Sequence, residues 1–415
     1  MYDGDRQNQP LEVTLHKQPN QAVAAGLCLV ALFYTALCPF VLATGHDAGQ
    51  LLTYCRLQAA TYFGGAASEQ VWPSTPATID AHGNIFFAMT TTSPNLASSA
   101  VGFDSSYNGT GDVLIVKMNA GLTQVLAATY LGGSAPDTPD AICIDDGGRV
   151  YVSGSTSSGD FPTTSGAYDI IHSSAEDAFV AVLSSNLDTL LACTLIGGNG
   201  SDIGCATAIS EDGSVFVAFG TASTDLPTSP GAIQSNLSSG GYDNYLIRLN
   251  NSLSVALAST YFGGNGNEFG SELAIDSDGD IYVTGSTFSS DLPVTSGAYD
   301  TQNNDGSLDA FVSHINKTLD TVLASTYVGG NGTDWSYAIM LGENGDVYIT
   351  GHAGAHWPTT PGCFDHSYGG GTADGSDAYL CRLSSDLSTL KASTYLGGSS
   401  WDWGVGMARD DQGFI

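Results

Sequence analysis

The chain has 415 residues, of which 52 are glycine and 13% are charged, so it is long enough for a large core, and its composition favours many tight turns over long charged helices. Ten lysines and arginines stand against 42 aspartates and glutamates, which gives a formal net charge of −32. Because a phosphate backbone would be repelled by that charge, nucleic acid is excluded as a partner.

The N-terminal part of the chain predicts export. Residues 1–21 form a polar region, and residues 22–45 are uncharged and mostly apolar. This pattern predicts a signal peptide or a membrane anchor; the exit Ala43-Thr44-Gly45 favours cleavage, and a buried core helix is the third alternative. We therefore expect a secreted or cell-surface protein whose only membrane contact is this segment, with residues 46–415 as the exported part.

A repeat of about 66 residues governs the remainder of the chain. An apolar run such as AATYL or ASTYF ends in a Gly-Gly pair at six places, which begin at Gly64, Gly132, Gly197, Gly263, Gly329 and Gly397. In step with these pairs, strings such as AIDSDGDIYV predict two strands around a short loop whose glycine takes a positive φ. A loop containing DFPTTSGAYD and a third strand such as DAFVAVL complete the unit.

Each repeat thus predicts four antiparallel strands. In DAFVAVL both alternating sets of side chains are apolar, so the strand must be covered on both faces. A radial array of blades does this because each sheet packs against two neighbours, whereas a stacked solenoid, the alternative, usually has a shorter period. The expected fold class is all-β, a β-propeller of four-stranded antiparallel blades, in an incomplete ring of five full blades plus partial strands.

These strings resemble the seven-bladed β-propeller repeat family, SBBP, in which AID-x-x-G-x-IYVTG, D-[FL]-P-T-T-x-G-AY-D and DAFV follow one another. The resemblance, which extends to NHL-type blades, covers roughly residues 57–415. It implies that the AID-like strand lies nearest the central axis, and it implies no single enzymatic activity.

Two departures from the SBBP pattern stand out. Ser93-Pro94-Asn95-Leu96 replaces D-[FL]-P in the first repeat. The β-pattern also starts on a last strand near Leu57 and stops at Ile415 inside a hairpin, so we expect a fragment, and a whole further repeat would give seven blades.

An acidic residue stands five places after the first glycine of each pair. The six acids are Glu69, Asp137, Asp202, Glu268, Asp334 and Asp402. One interpretation is structural: each carboxylate accepts backbone N–H bonds in the turn between blades. The other is a ring of acids at one rim, which would bind cations or a basic ligand and would have raised pKa values through mutual repulsion.

Two groups of residues are candidate metal ligands. Asp276, Asp278 and Asp280 alternate in one hairpin loop and offer the oxygens that calcium prefers, with an ordinary polar turn as the alternative. His352, His356 and His366 lie in one loop region at a spacing that a metal site would accept, with chance substitution as the alternative. No other cofactor is expected.

Tryptophans and cysteines each allow two interpretations. Trp335, Trp357, Trp401 and Trp403 either fill gaps between blades or stack on a sugar ring or a protein partner. Cys363 and Cys381 share one repeat and are the first choice for a disulfide in an exported chain, against the alternative of buried, reduced side chains.

The function that these observations favour is a non-catalytic extracellular propeller that binds protein or glycan. No G-x-S-x-G or P-loop pattern stands in a strand-turn-helix context, and no catalytic residue is assigned. One alternative is a carbohydrate-active enzyme, a glycoside hydrolase or lyase, which requires non-repeating acids that converge on one pocket. Another is a structural surface-layer or adhesin segment.

Overall fold

The structure is a computed structural model, and it describes residues 28–33, 57–71, 77–97, 102–173, 175–238, 241–304, 307–370 and 375–409. These residues form strands and turns, and none of them is helical. Within the same ranges, therefore, nothing has the length and apolar character of a membrane-crossing helix.

A two-stranded sheet precedes the repeats. β1 (Cys28–Phe33) pairs antiparallel with β2 (Leu57–Phe63). β1 belongs to the segment predicted as a signal peptide or anchor; the remainder of residues 22–45 lies outside the described residues, and its cleavage stays a prediction. Phe63 packs edge-on against Phe87 of the next sheet, with ring centroids 5.5 Å apart.

Five sheets follow, and the strands of each are consecutive in sequence and antiparallel. Blade 1 contains β3 (Glu69–Gln70), β4 (Ala77–Ile79), β5 (Ile85–Thr91), β6 (Asp112–Met118) and β7 (Val125–Leu131). Blade 2 contains β8 (Asp137–Ile144), β9 (Val150–Thr156), β10 (Asp177–Leu183) and β11 (Leu190–Ile196). Blade 3 contains β12 (Asp202–Ile209), β13 (Val215–Thr221), β14 (Asp243–Leu249) and β15 (Ala256–Phe262).

Blade 4 contains β16 (Glu268–Ile275), β17 (Ile281–Thr287), β18 (Asp309–Ile315) and β19 (Val322–Val328). Blade 5 contains β20 (Trp335–Leu341), β21 (Val347–Ala353), β22 (Asp377–Leu383) and β23 (Leu390–Leu396). The first strand of blade 1 is split, because β3 and β4 both pair with β5.

The first strand of each blade lies at the inner edge of the array. β12 contacts β8 and β16, and β16 contacts β20, so first strands meet from one blade to the next. The fourth strands form the opposite edge of their sheets. Sheets that radiate in this way form a β-propeller of four-stranded antiparallel blades, which confirms the predicted fold class and excludes the solenoid.

The local predictions are confirmed as well. All seven residues of β10 are buried, as expected for a strand covered on both faces. The residue before the loop proline is buried in four blades, as expected for a side chain that fills the gap between sheets. These residues are Phe161, Leu226, Leu292 and Trp357. The hairpin glycines adopt φ angles of 76° to 81° at Gly83, Gly148, Gly213, Gly279 and Gly345, while Gly413 lies outside the described residues.

The predicted Cys363–Cys381 disulfide is wrong, since both thiols are free. Cys381 is fully buried in the core that blade 5 shares with blade 4, whereas Cys363 lies in a half-buried turn. Burial also raises the pKa of the Cys143 thiol, to about 12, so the thiolate form that would react is suppressed.

Candidate functional site

The six-acid series holds the turns between blades. Asp137 Oδ2 accepts the N–H of Gly133 at 2.8 Å and the hydroxyl of Ser158 at 3.0 Å, and the Thr156 hydroxyl donates to Oδ1. The second glycine of each later pair donates its N–H in the same way to Asp202, Glu268, Asp334 and Asp402. The structural interpretation is confirmed. The first five acids are buried, so they form no accessible ring for cations.

A second acid lies against the first glycine of each Gly-Gly pair from Gly132 onward. These acids begin the third strands: Asp112, Asp177, Asp243, Asp309 and Asp377, all buried. A Cβ at Gly263 would lie 2.3 Å from Glu268 Oε2 and 2.6 Å from Asp243 Oδ1, so only glycine fits between the two carboxyl groups. Asp243 and Glu268 thus face each other across this glycine. The aspartate that begins every DAFV-like string is the sequence signal for these second acids.

Burial raises the pKa of the first-strand acids. The pKa is about 6 for Asp137 and Asp202 and about 7 for Glu268, in each case mainly because the carboxylate is removed from water. Repulsion from the paired third-strand acid adds to the effect, as Asp243 does for Glu268. The sequence predicted raised pKa values for these acids through mutual repulsion around a rim. In the structure the main cause is burial of each acid at its blade junction.

The candidate calcium ligands lie in the hairpin between β16 and β17. Asp276 Oδ1 accepts the N–H of Asp278 at 2.9 Å and that of Asp280 at 3.0 Å, which fixes the turn. Asp276 and Asp280 come together with His314 on β18, and one ligand atom from each lies within 4.8 Å of the others. Asp278 is not part of this group. Calcium binding stays a prediction, and sequence spacing had given no sign of His314.

The other metal hypothesis is wrong. Among the described residues, Asp276, Asp280 and His314 form the only group of three potential ligands within mutual reach, so His352, His356 and His366 are not brought together. His352 is buried on β21, where loss of hydration lowers its pKa to about 4, and His356 and His366 are exposed in the following loop.

Aromatic rings gather at the inner edge beside blade 5. We call this group the aromatic patch, and its members are Phe269, Phe288, Trp335, Tyr337, His352, Trp401 and Trp403. Trp335 and Tyr337 lie on β20 with centroids 6.1 Å apart. Trp403 stacks on His352 at 5.4 Å and 20°. Its segment docks on β21 through a 2.9 Å hydrogen bond from the Gly404 N–H to the Gly351 carbonyl.

The outcome of the two interpretations differs between the tryptophans. Trp357 fills a gap: it is buried, stacks 3.8 Å from Tyr379, and donates its indole N–H to Ser393 Oγ at 2.8 Å. Trp401 and Trp403 are 56% and 48% exposed among the described residues, and both interpretations stay open for them. The patch is therefore a partly solvated aromatic surface, with Trp335, Tyr337 and His352 on strands and Trp401 and Trp403 on the segment after β23.

Two acids on the inner strands break the repeat. Asp140 on β8 and Glu272 on β16 correspond to Cys205 and Ala206 of β12, and burial raises the pKa of each to about 7. Asp140 Oδ2 accepts the N–H of Cys205 at 3.0 Å, which links blades 2 and 3. This contact gives Asp140 a structural partner of its own.

Comparison with known families agrees with the blade geometry. The model of the family described as SBBP, beta-propeller repeat, matches residues 128–162 and 259–293. The chain carries SBBP β-propeller repeats. Each matched segment runs from the fourth strand of one blade into the first two strands of the next, so an SBBP unit contains a blade junction with its Gly-Gly pair and acid.

Solved structures show distant likeness to this chain. A protein of unknown function from Dyadobacter fermentans is 11% identical, with 79% of this chain and 84% of that chain covered and a TM-score of 0.42. A polysaccharide lyase of family PL25, an ulvan lyase, is 10% identical, with 81% of this chain and 73% of that chain covered and a TM-score of 0.40. An endo-arabinase from Bacteroides thetaiotaomicron is 12% identical, with 68% of this chain and 88% of that chain covered and a TM-score of 0.34. No curated protein matches. Likeness at this level carries no inference about activity.

Proposed function

We propose that this chain is a non-catalytic propeller outside the cell that binds a neutral glycan on the aromatic patch. The observation that carries the proposal is the exposure of Trp401 and Trp403 beside Trp335 and Tyr337. Flat aromatic faces stack on the C–H faces of sugar rings, and rings already packed against one another lose little conformational freedom on binding.

The charge of the chain narrows the ligand class. A net charge of −32 repels a polyanionic chain at long range, so uronic-acid or sulfated polymers are poor candidates. His352 beneath Trp403 adds no positive charge at neutral pH, because its pKa is about 4. A neutral polysaccharide meets neither repulsion nor the cost of burying its own charge.

The test is affinity electrophoresis of the folded chain in gels that contain neutral polysaccharides, with retardation as the readout. Replacing Trp401 and Trp403 together with alanine should weaken the apparent affinity for the retained polymer at least about tenfold, since these rings supply the contact area. Phe364→Ala is the matched control, because Phe364 is 82% exposed and lies outside the patch. Unchanged retardation of the double variant would refute the proposal.

A carbohydrate-active enzyme is the rival function, and Asp140 and Glu272 are the observation that favours it. Carboxyl groups with pKa near 7 are suited to proton transfer. If the rival holds, new reducing or unsaturated sugar ends will appear in a polysaccharide panel and will be lost in both Asp140→Asn and Glu272→Gln. Absence of both binding and turnover would leave the surface-layer or adhesin role.

A further inference from the structure

A positive charge recurs beside the second-strand ring in four of the five blades; the third strand supplies it in blades 1, 3 and 5, and the hairpin residue Arg149 supplies it in blade 2. There, a basic side chain lies over the aromatic ring of the second strand and forms an ion pair with an aspartate of the hairpin. The groups are Lys117 with Phe86 and Asp80, Arg149 with Tyr151 and Asp145, Arg248 with Phe216 and Asp212, and Arg382 with Tyr348 and Asp346. The fold therefore places a cation between an aromatic ring and a hairpin carboxylate.

Blade 4 has a histidine at this place. His314 pairs with Tyr282 across β17 and β18 in the same register that pairs Arg248 with Phe216 and Arg382 with Tyr348. Its ring stacks on Tyr282 at 4.0 Å and 9°. His314 Nε2 lies 3.1 Å from Asp276 Oδ2. Unlike lysine or arginine, a neutral imidazole can bind a metal ion through this nitrogen.

The neighbouring carboxylates are positioned as further ligands. Asp276 uses Oδ1 for the turn and directs Oδ2 at His314. Asp280 Oδ1 accepts the N–H of Lys317 at 2.8 Å, which holds this side chain beside Asp276. The Lys317 ammonium group donates to the Asp278 carbonyl at 2.8 Å, so it is engaged by the loop backbone.

Two of the three ligands, Asp276 and His314, line a cavity of about 940 Å³. Its walls include Asp276, Tyr282 and His314 on one side and Glu343 and Asp386 of blade 5 on the other. The cavity gives an ion a path to the ligands and room for water molecules in its remaining coordination positions. The carboxylates of Glu343 and Asp386 make the approach favourable for a cation.

We propose that Asp276, Asp280 and His314 bind a divalent transition-metal ion of the zinc type, which supplies in blade 4 the positive charge that lysine or arginine supplies in the other blades. Imidazole nitrogen selects this class over calcium or magnesium, which take oxygen ligands. Zinc holds such ligands about 2.0–2.2 Å away, so ligand atoms now within 4.8 Å of one another need a small side-chain rotation to close on the ion.

The test uses the full chain and Zn²⁺ in isothermal titration calorimetry at about pH 7.5, with excess magnesium present to occupy weak acidic sites. We expect one Zn²⁺ bound and a higher thermal midpoint. His314→Arg is the matched variant, because Arg248 and Arg382 stand at the same place in other blades. It should fold, keep the metal-free midpoint or exceed it, and bind Zn²⁺ at least about tenfold more weakly.

Asp280→Asn is a second variant for the same titration, and Co²⁺ serves as a spectroscopic probe of the site. The absorption bands of bound Co²⁺ should appear in the wild-type chain and be lost in both variants. The proposal is overturned if the wild-type chain binds no Zn²⁺, or if His314→Arg and Asp280→Asn retain its stoichiometry and affinity. None of these readouts depends on glycan binding.

Discussion

A leucine lies in the turn between the third and fourth strands of each blade, and in blades 2 to 5 its carbonyl accepts an N–H from the blade before it. The five leucines adopt φ angles of 53° to 58° and are buried: Leu122, Leu187, Leu253, Leu319 and Leu387. The carbonyl of Leu253 accepts the N–H of Tyr168 from blade 2 at 2.8 Å. A left-handed backbone costs a leucine roughly 1 kcal/mol or more, so burial of the side chain must offset that strain.

This geometry predicts that a glycine variant at this leucine is at least as stable as the alanine variant, whereas elsewhere in a strand or turn the alanine variant is usually the more stable. Leu253→Ala should lower the free energy of unfolding by about 2–5 kcal/mol, because it empties a buried site. Leu253→Gly should be as stable as the alanine variant or more stable by about 1 kcal/mol, since glycine is unstrained at this φ. Denaturant unfolding measures both.

Leu249 is the control for this prediction. It is equally buried but lies in β14 outside the left-handed region, so Leu249→Gly should be less stable than Leu249→Ala. If the glycine variant is less stable than the alanine variant at both leucines, the left-handed backbone at Leu253 is not a source of strain.

At the scale of the element, the second strand of a blade carries a glycine because the first strand bulges onto it. A Cβ at Gly154 would lie 1.9 Å from the Thr138 carbonyl oxygen, and one at Gly351 would lie 1.8 Å from that of Trp335. The register of β8 shifts between Pro139 and Ala141, opposite this glycine. The IYVTG signature therefore records a close backbone approach rather than a turn.

Blade 3 supplies a matched comparison for this approach. Gly154→Ala should destabilise the chain by about 1–3 kcal/mol, because the methyl group overlaps a backbone oxygen that cannot rotate away. Gly220→Ala should have a smaller effect, since its Cβ would lie 3.5 Å from the nearest atom, the Ile203 carbonyl oxygen. Thermal unfolding of the two variants side by side checks this; equal midpoints would argue against the bulge as the cause.

At the scale of the whole molecule, every blade junction contains buried acid. The folded-state pKa is about 6 for Asp202 and about 7 for Glu268, both above the ordinary values that these groups have when unfolded. Between about pH 4 and pH 7 the folded chain therefore binds more protons than the unfolded chain. Stability is greatest at the acidic end of this window and falls as pH rises through the folded-state pKa values.

We accordingly expect a higher thermal midpoint at about pH 5 than at about pH 8, measured at constant high salt to screen the surface charge. Glu268→Gln should reduce the difference, because a neutral amide removes one of the titrating groups. Its Oε1 can still accept the Gly264 N–H, and the hydroxyls of Thr287 and Ser289 can turn to accept from the amide. A midpoint that rises with pH would contradict this picture.

The strand order and the blade unit could be predicted because each depends on neighbouring residues. Alternation in DAFVAVL, the hairpin glycine and the loop proline each act within a few residues, and repetition of the unit made the signal strong. The structural role of the acids after the Gly-Gly pairs followed for the same reason, since the five from Asp137 onward each bond a glycine four residues away.

The sites could not be predicted from spacing because they join residues that are far apart in the chain. Asp276 meets His314 only because β16 and β18 flank β17 in one sheet. Trp335 and Trp403 both contact His352 only because the segment after blade 5 docks on β21. The predicted Cys363–Cys381 disulfide was wrong for the same reason, because two cysteines in one repeat are not necessarily close in space.

By itself, the sequence determined that the chain forms four-stranded blades, because short-range sterics and alternating polarity act wherever the pattern occurs. Tertiary structure decided which side chains face water, which buried acids face each other and which candidate ligands meet. Those outcomes depend on how one blade lies against the next, and the contacts between blades join residues that no local pattern connects.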